Sequence, residues 1–454
     1  MPEHSRRLAG APQAPFAVLL RPAVTCSLHN LHGVQAYHSP STEVLIRPFS
    51  GGLPMRNMLA RHMLVALISG AAASAAGAWS NPAAVVTEPR ETIMRMDDAI
   101  EARPVIQLAI LLDTSGSMQG LIEQAKAQLW TIVNELAMTR RDGMQPEVYV
   151  SLYEYGKSTL ARDEGYLRMI LPLSRDLDSV SSELFALTTN GGEEYCGWVI
   201  QAAVHSLQWS TDPRDLRMIV IAGNEPFTQG PVDYRESIRD AVAKGIIVNT
   251  IHCGNHREAV QGGWQDAATL AKGAFSNIDH NAHVMHIEAP QDEDIVRLNI
   301  QLNETYLPYG QRGTQGAQLQ LRADAQAAAA PAGGGTANVA QRTLAKAEAV
   351  YCNRDWDLID ACREASFDLA AVADDDLPEQ LRGKSIEEKQ AYIESLSNRR
   401  EAIQQQIREL GAAREAYVIE QRRKLAEQNT NTLGDVLAKA IRLQATQRGF
   451  ELTR

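Results

Sequence analysis

The chain has 454 residues, of which 44% are hydrophobic and 22% charged, and its formal net charge is -11 at pH 7. This composition is typical of a globular protein and excludes a chain that is mostly disordered or embedded in a membrane. The negative charge, with no dense stripe of Lys and Arg, argues against nucleic acid as a partner, because phosphate binding needs a basic surface.

The first 78 residues are predicted to precede the folded part. Residues 1–54 show no lasting periodicity and are interpreted as a non-native or disordered extension. Met55 opens a segment with two arginines, an apolar run and a small-residue end at 76–78, which is the layout of a signal peptide. The run is shorter than the roughly 20 residues of a membrane-spanning helix. We therefore predict a start at Met55, a signal peptide at 55–78 and a periplasmic, envelope or secreted protein. A buried or anchoring N-terminal helix is the alternative.

Strands and helices alternate from about residue 104, which predicts an α/β fold with a doubly wound, mostly parallel sheet. Continuous apolar runs indicate strands covered on both faces, and three- and four-residue spacing indicates amphipathic helices. The second and third strands are expected to form an antiparallel edge. The predicted strands are 105–112, 147–153, 166–173, 216–222 and 245–252, and the predicted helices are 120–138, 177–187, 197–208, 234–244, 265–272 and 292–303.

The composition changes after the predicted domain at 104–305. Residues 311–340 are rich in Ala, Gly and Pro and are interpreted as a flexible linker. Residues 341–454 are charged and helical, with a heptad-like apolar stripe that predicts a coiled-coil-like region. Lys389, Arg400 and Arg414 fall on that stripe and Gly411 interrupts it, so a helical hairpin packed on itself or on the main domain fits better than a long coiled coil. Thr432 is predicted to cap the last helix.

The most informative residues are Asp113, Ser115 and Ser117, which follow the first strand and precede a helix. In an open α/β sheet, ligands bind in the crevice beyond the carboxyl ends of the strands. Oxygens at alternate positions suit a hard cation such as Mg²⁺, with Mn²⁺ or Ca²⁺ as alternatives, and Gly116 permits the tight turn. The competing interpretation is that these side chains only cap the following helix.

The Asp-x-Ser-x-Ser segment in this setting resembles the metal-ion-dependent adhesion site of von Willebrand factor A domains. The resemblance implies a protein-interaction module that grips an acidic side chain of its partner through the metal. It also implies ligands from two further loops, where this chain departs from the family. Glu193 stands where many members have Thr, with Thr189 as an alternative. Gly223 stands where an Asp is expected, so Asn224 or Glu225 would have to contribute.

Other functions are less well supported by the sequence. No phosphate-binding Gly-rich loop or nucleophile elbow is present, so we do not predict an enzyme. A zinc site among His252, Cys253 and the histidines at 256, 280, 283 and 286 is a minor alternative, because their spacing matches no standard pattern. A metal-independent envelope scaffold that acts through the helical C-terminal region is the main rival. Whether any cysteines pair, and the oligomeric state, stay open.

Overall fold

The computed structural model describes residues 103–282, 284, 286–330, 335–425 and 432–452. The extension predicted at 1–54 and the signal peptide predicted at 55–78 lie outside the described residues.

A six-stranded sheet organises the fold, with strand order β4-β3-β1-β5-β6-β7. Its strands are parallel except for β4, which pairs antiparallel with β3 as predicted. The four-residue β7 was missed because so short a segment carries no periodic signal. The short β2 and β8 form a separate antiparallel pair. The strands are β1 (Val105–Asp113), β2 (Thr139–Arg140), β3 (Glu147–Tyr155), β4 (Leu167–Ser174), β5 (Leu216–Gly223), β6 (Ile247–Cys253), β7 (Phe275–Ile278) and β8 (Glu451–Leu452).

Helices cover both faces of this sheet, which explains why its central strands are apolar along their whole length. In β1, Leu108 and Leu112 pack into the core on one face, whereas Ala109 and Leu111 pack into the core on the other. The helices are α1 (Gln119–Ala137), α2 (Leu177–Ala186), α3 (Cys196–Ser206), α4 (Tyr234–Ala243), α5 (His256–Gln261), α6 (Trp264–Leu270), α7 (Asp292–Asn303), α8 (Gly313–Ala329), α9 (Gly335–Lys346), α10 (Leu358–Ala361), α11 (Ile386–Leu425) and α12 (Leu433–Gln447).

The flexible linker predicted at 311–340 is wrong for the described part of that segment, which forms α8 and the start of α9. Ala323 and Ala327 of α8 are buried in the main core. Alanine is the strongest helix former, and its small side chain lets helices pack closely. The same composition that suggested a linker therefore also suits a packed helix, and only the surrounding residues decide between the two.

The helical C-terminal region is confirmed, and it packs on the rest of the fold. α11 is a single 40-residue helix, about 60 Å long at 1.5 Å per residue. Arg400, on the predicted apolar stripe, is buried and donates to Asp357 and Asp360 at 2.6 and 3.0 Å. Gly411 does not interrupt the helix but lets it approach Leu344 of α9, where a methyl group would collide with that side chain.

The last helix closes the core over α1. Thr432 caps α12 as predicted, in a capping box with Asp435. Leu437 and Ile441 join the same core as the sheet residues, and Gln444 is hydrogen-bonded to Asn249 of β6. Residues after the predicted boundary at 305 thus share one hydrophobic core with the sheet.

Candidate functional site

The first loop of the site joins β1 to α1. Asp113 ends β1 fully buried, and its Oδ1 accepts the N–H of Ser115 at 2.7 Å. Its Oδ2 is buried without a hydrogen-bond partner among the described residues. The hydroxyls of Ser115 and Ser117 lie 3.3 Å apart. Ser115 makes no side-chain capping bond, so helix capping does not account for the motif.

The third loop follows β5, which is the neighbour of β1 in the sheet. In the sheet, β3 and β4 lie on one side of β1, whereas β5, β6 and β7 lie on the other. The boundary between β1 and β5 is therefore the switch point at which open sheets form a crevice. Asn224 lies there, and its Nδ2 donates to Ser117 Oγ at 3.2 Å. Its Oδ1 is buried without a described partner. His252 Nε2 donates to the Asn224 carbonyl at 3.1 Å and holds the loop from behind.

A neighbouring tyrosine explains why Gly223 is not an aspartate. A Cβ at Gly223 would lie 2.5 Å from the Tyr155 hydroxyl oxygen and 3.0 Å from Asp113 Oδ2. Tyr155 is fully buried and donates to the Ala222 carbonyl at 3.1 Å. Since the phenol fills the space beside Gly223, no side chain fits there, and Asn224 is the third-loop residue that reaches the first loop.

The second loop brings Glu194, rather than the predicted Glu193, to the site. Glu193 is exposed and accepts the hydroxyl of Tyr195. Glu194 is 6% exposed, and both it and Asp113 lie against Gly156. A Cβ there would lie 2.7 Å from Glu194 Cγ and 2.8 Å from Asp113 Oδ1. The alternative Thr189 donates instead to Gln119 Oε1 at 2.9 Å. Sequence spacing could not show which of these two adjacent glutamates reaches the site.

The carboxylates are crowded and poorly solvated. Burial raises the pKa of Asp113 to about 7, although hydrogen bonds from Ser115 oppose the change. Burial also raises the pKa of Glu194 to about 8, and the charges of Asp113 and Glu225 add to that effect. Negative charges held this close favour a cation between them.

The buried carboxylate of Glu154, paired with Arg168 and Lys157, supports the first two loops from behind the site, and the sequence analysis missed it. Glu154 of β3 is fully buried and accepts the Thr114 hydroxyl at 3.4 Å. Lys157 lies 3.6 Å from Glu154 and donates to Thr188 at 2.9 Å. A carboxylate near the end of a strand that is otherwise mostly apolar is the sequence signal that could have identified this support.

The family comparison agrees with this fold. Residues 107–278 match the family model of the von Willebrand factor type A domain. The chain contains a von Willebrand factor type A domain. The resemblance predicted from the Asp113 loop and the doubly wound fold are thereby confirmed.

Similarity of the A domain to solved structures is limited in extent. A von Willebrand factor type A protein from Catenulispora acidiphila is 16% identical, with 39% of each chain covered and a TM-score of 0.29. An aerotolerance-related membrane protein from Bacteroides fragilis is 18% identical, with 39% of this chain and 93% of that one covered and a TM-score of 0.28. Proximal thread matrix protein 1 from the mussel byssus, with a zinc-occupied MIDAS motif, is 10% identical, with 39% and 43% covered and a TM-score of 0.30. No curated protein sequence matches the chain.

Two histidines of the A domain have polar contacts of their own, although His280 Nδ1 and His286 Nε2 are buried without a partner among the described residues. His252 Nδ1 is 2.9 Å from Asn277 Oδ1, and His280 is bonded to Asn281. His283 lies outside the described residues. In the part of the chain that the structure describes, no three His, Cys, Asp or Glu side chains are grouped to hold a metal. The candidate site at Asp113 is not a cluster of this type, because hydroxyl and amide groups supply part of its oxygens.

The cysteines in the described ranges, Cys196, Cys253, Cys352 and Cys362, are free thiols. Cys196 lies beneath the site, with its Sγ 3.8 Å from the Tyr155 hydroxyl. Burial raises the pKa of this thiol above its usual range. It therefore acts as packing rather than as a ligand or nucleophile.

Proposed function

We propose that Asp113, Ser115, Ser117, Glu194 and Asn224 hold a divalent cation and that the A domain binds a protein partner through it. The observation that carries this proposal is the pair of buried oxygens without partners, Asp113 Oδ2 and Asn224 Oδ1, on neighbouring strand ends. Buried polar atoms are nearly always satisfied in folded proteins, so each such atom needs an explanation. A bound cation supplies one for both.

The set of donors fits a hard ion. Carboxylate, hydroxyl and amide oxygens are the ligands that Mg²⁺, Mn²⁺ and Ca²⁺ prefer, and Mg²⁺ usually keeps several waters. With Glu193 turned to Tyr195, we assign the second-loop position to Glu194. We propose Mg²⁺ as the ion, with Mn²⁺ and Ca²⁺ as alternatives.

An interaction role is more plausible than catalysis for this site. A domains are generally interaction modules, and we assign the Ser115 hydroxyl, which lies against the Asp113 and Glu194 carboxylates, to the cation rather than to catalysis. The nearest thiol, Cys196, is fully buried, and burial raises its pKa. We therefore propose that the protein is not an enzyme.

We also propose that the protein is exported to the periplasm, envelope or exterior by the segment at 55–78. Support comes from the sequence, where two arginines and a short apolar run precede small residues. None of the helices among the described residues combines the length and apolarity needed to cross a membrane.

The rival interpretation, a metal-independent scaffold acting through its C-terminal helices, has less support. α11 packs on α7 and α9, and α12 packs on α1. Ile403, Ile407 and Leu437 are buried in the same core as the sheet. Most of the apolar surface of these helices is thus used within the chain, although Ile419 of α11 and Leu443 of α12 are exposed.

Thermal unfolding of the full-length chain with Mg²⁺, Mn²⁺ or Ca²⁺ tests the cation. A cation at a hundredfold excess over its Kd stabilises the folded state by about 2.7 kcal/mol. We expect a concentration-dependent rise in Tm for the natural protein and none for Asp113→Ala or Ser117→Ala. Asp163→Ala is the matched control, because Asp163 is exposed in a neighbouring loop. Equal responses of the Asp113→Ala variant and the natural protein would remove the cation from the proposal.

A further inference from the structure

A cavity of about 310 Å³ lies between α3 and β4, beneath the loop that follows β3. This volume is at the lower end of the range for small-molecule sites. Its wall includes Leu160 of that loop, Leu167 and Met169 of β4, and Ala202 of α3. All four are apolar, yet each is partly or largely exposed. The cavity therefore offers apolar surface to a compact molecule, such as one with a single ring.

Tyr153 of β3 adds a polar group to the wall of this cavity. The residue belongs to the core between the sheet and α3 and is only 1% exposed. Its hydroxyl is buried without a hydrogen-bond partner among the described residues. Burial raises the pKa of this phenol to about 12, although nearby Ser206 opposes the change. The hydroxyl therefore keeps its proton, and a buried donor of this kind needs an acceptor.

The charged residues of the wall disfavour an anionic ligand. Arg168 is the cross-strand neighbour of Glu154, and its guanidinium is paired with that buried carboxylate. The other charged residue of the wall is Glu164, which is exposed. Since the positive charge is already compensated and Glu164 is negative, a carboxylate in the cavity would meet repulsion, whereas a neutral acceptor would not.

We infer that this cavity binds a small neutral molecule with an apolar body and one carbonyl oxygen, which accepts the Tyr153 hydroxyl. The apolar body would contact Leu160, Leu167 and Met169, and the carbonyl would satisfy the buried phenol. The inference is independent of the proposed cation, because none of the residues that line the cavity is a proposed cation ligand.

Ligand-observed NMR titrations of the full-length chain test the inference with three probes of similar shape. Acetophenone offers a neutral carbonyl, isopropylbenzene has a methyl group in place of that oxygen, and benzoate carries a negative charge. We expect acetophenone to bind at least about fivefold more tightly than isopropylbenzene, because only the ketone gives the buried hydroxyl an acceptor. Benzoate should bind more weakly than acetophenone, because it brings a charge to the side of the cavity that holds Glu164.

Three variants locate the binding. Tyr153→Phe should abolish the preference for acetophenone and stay folded, since it removes only an unpaired hydroxyl. Tyr149→Phe is the matched control and should keep the preference, because Tyr149 lies on the same strand and its hydroxyl donates to Glu147 at 3.0 Å. Ala202→Leu narrows the cavity from α3 and should weaken the binding of acetophenone.

Each contrary result overturns the inference. If acetophenone does not bind, or binds no better than isopropylbenzene, the Tyr153 hydroxyl has no part in recognising a ligand. A preference for acetophenone that persists in Tyr153→Phe would mean that another group receives the carbonyl. Tightest binding by benzoate would show that the site takes an anion, and binding that Ala202→Leu leaves unchanged would place the probes outside the cavity.

Discussion

Asp113→Asn is expected to stabilise the cation-free protein at pH 8, although it alters the most buried residue of the site. Burial raises the pKa of Asp113 from 3.8 to about 7. At 1.36 kcal/mol per pKa unit, the ionised carboxylate then costs the folded state about 4 kcal/mol. The amide keeps an oxygen for the N–H of Ser115 but leaves a buried donor unpaired, which costs about 1–3 kcal/mol. The net gain is about 1–3 kcal/mol.

The pH dependence follows from the same shift. Below about pH 4 the carboxyl is protonated in both states and contributes nothing. Between about pH 4 and 7 the unfolded chain ionises while the folded chain holds its proton, so the unfolding free energy falls as the pH rises. Above the folded pKa of about 7 the loss is complete. Asp113→Asn removes this contribution, so its advantage should disappear at pH 5.

Chemical denaturation in chelator at pH 5 and pH 8 measures both effects. From pH 5 to pH 8 the unfolding free energy of the natural protein should fall more than that of Asp113→Asn. Mg²⁺ should restore the lost stability in the natural protein alone. Asp163→Asn is the control for a general charge effect, since Asp163 is exposed. If Asp113→Asn lowers the unfolding free energy as much at pH 8 as at pH 5, the argument from an uncompensated buried carboxylate is refuted.

Three further predictions concern how the residues after 305 pack. Arg400→Met should lower the unfolding free energy by about 3–5 kcal/mol, because it leaves Asp357 buried without its cation and Asp360 with Arg363 alone. Adjacent Arg399→Met, which breaks the exposed pair with Glu304, should cost less than about 1 kcal/mol. Gly316→Ala should cost about 1–3 kcal/mol by collision with the buried Trp356 ring. Gly411→Ala should be within about 1 kcal/mol of neutral, because flexible Leu344 can turn away and alanine favours the helix. A chain ending at residue 425 should aggregate, since it uncovers the α1 surface that Leu433 and Leu437 bury; solubility and circular dichroism report this.

Each of these has an outcome that would contradict it. Similar losses for Arg399→Met and Arg400→Met would mean that the buried ion pairs contribute no more than the exposed one. A destabilised Gly411→Ala would show that α9 and α11 cannot adjust at Leu344. A soluble, folded chain ending at residue 425 would show that α12 is dispensable, and would revive the idea of a C-terminal region free to dock elsewhere.

The order of the central strands and helices could be predicted from the sequence because apolar periodicity is a local property. The run in β1 lies within one buried strand, and the spacing at Leu121, Ala125 and Leu129 lies within α1. Asp113, Ser115 and Ser117 were identifiable for the same reason, since only one residue separates each from the next along one loop. Thr432 was recognised because a capping box is read within four residues.

Tertiary structure decided whatever depends on residues distant in the chain. Periodicity assigned Arg400 to a core position, but only the fold supplies Asp357 and Asp360 as its partners. Likewise, no local sequence feature distinguishes Glu193 from Glu194 in the second loop. Glu194 reaches Asp113 because Gly156, at the end of β3, leaves room for both carboxylates. Gly223 lacks a side chain because Tyr155, 68 residues earlier in the sequence, occupies the space. Steric exclusion and charge pairing act through space, so the sequence by itself determined the scaffold and the first loop, and the packed structure determined which oxygens meet there.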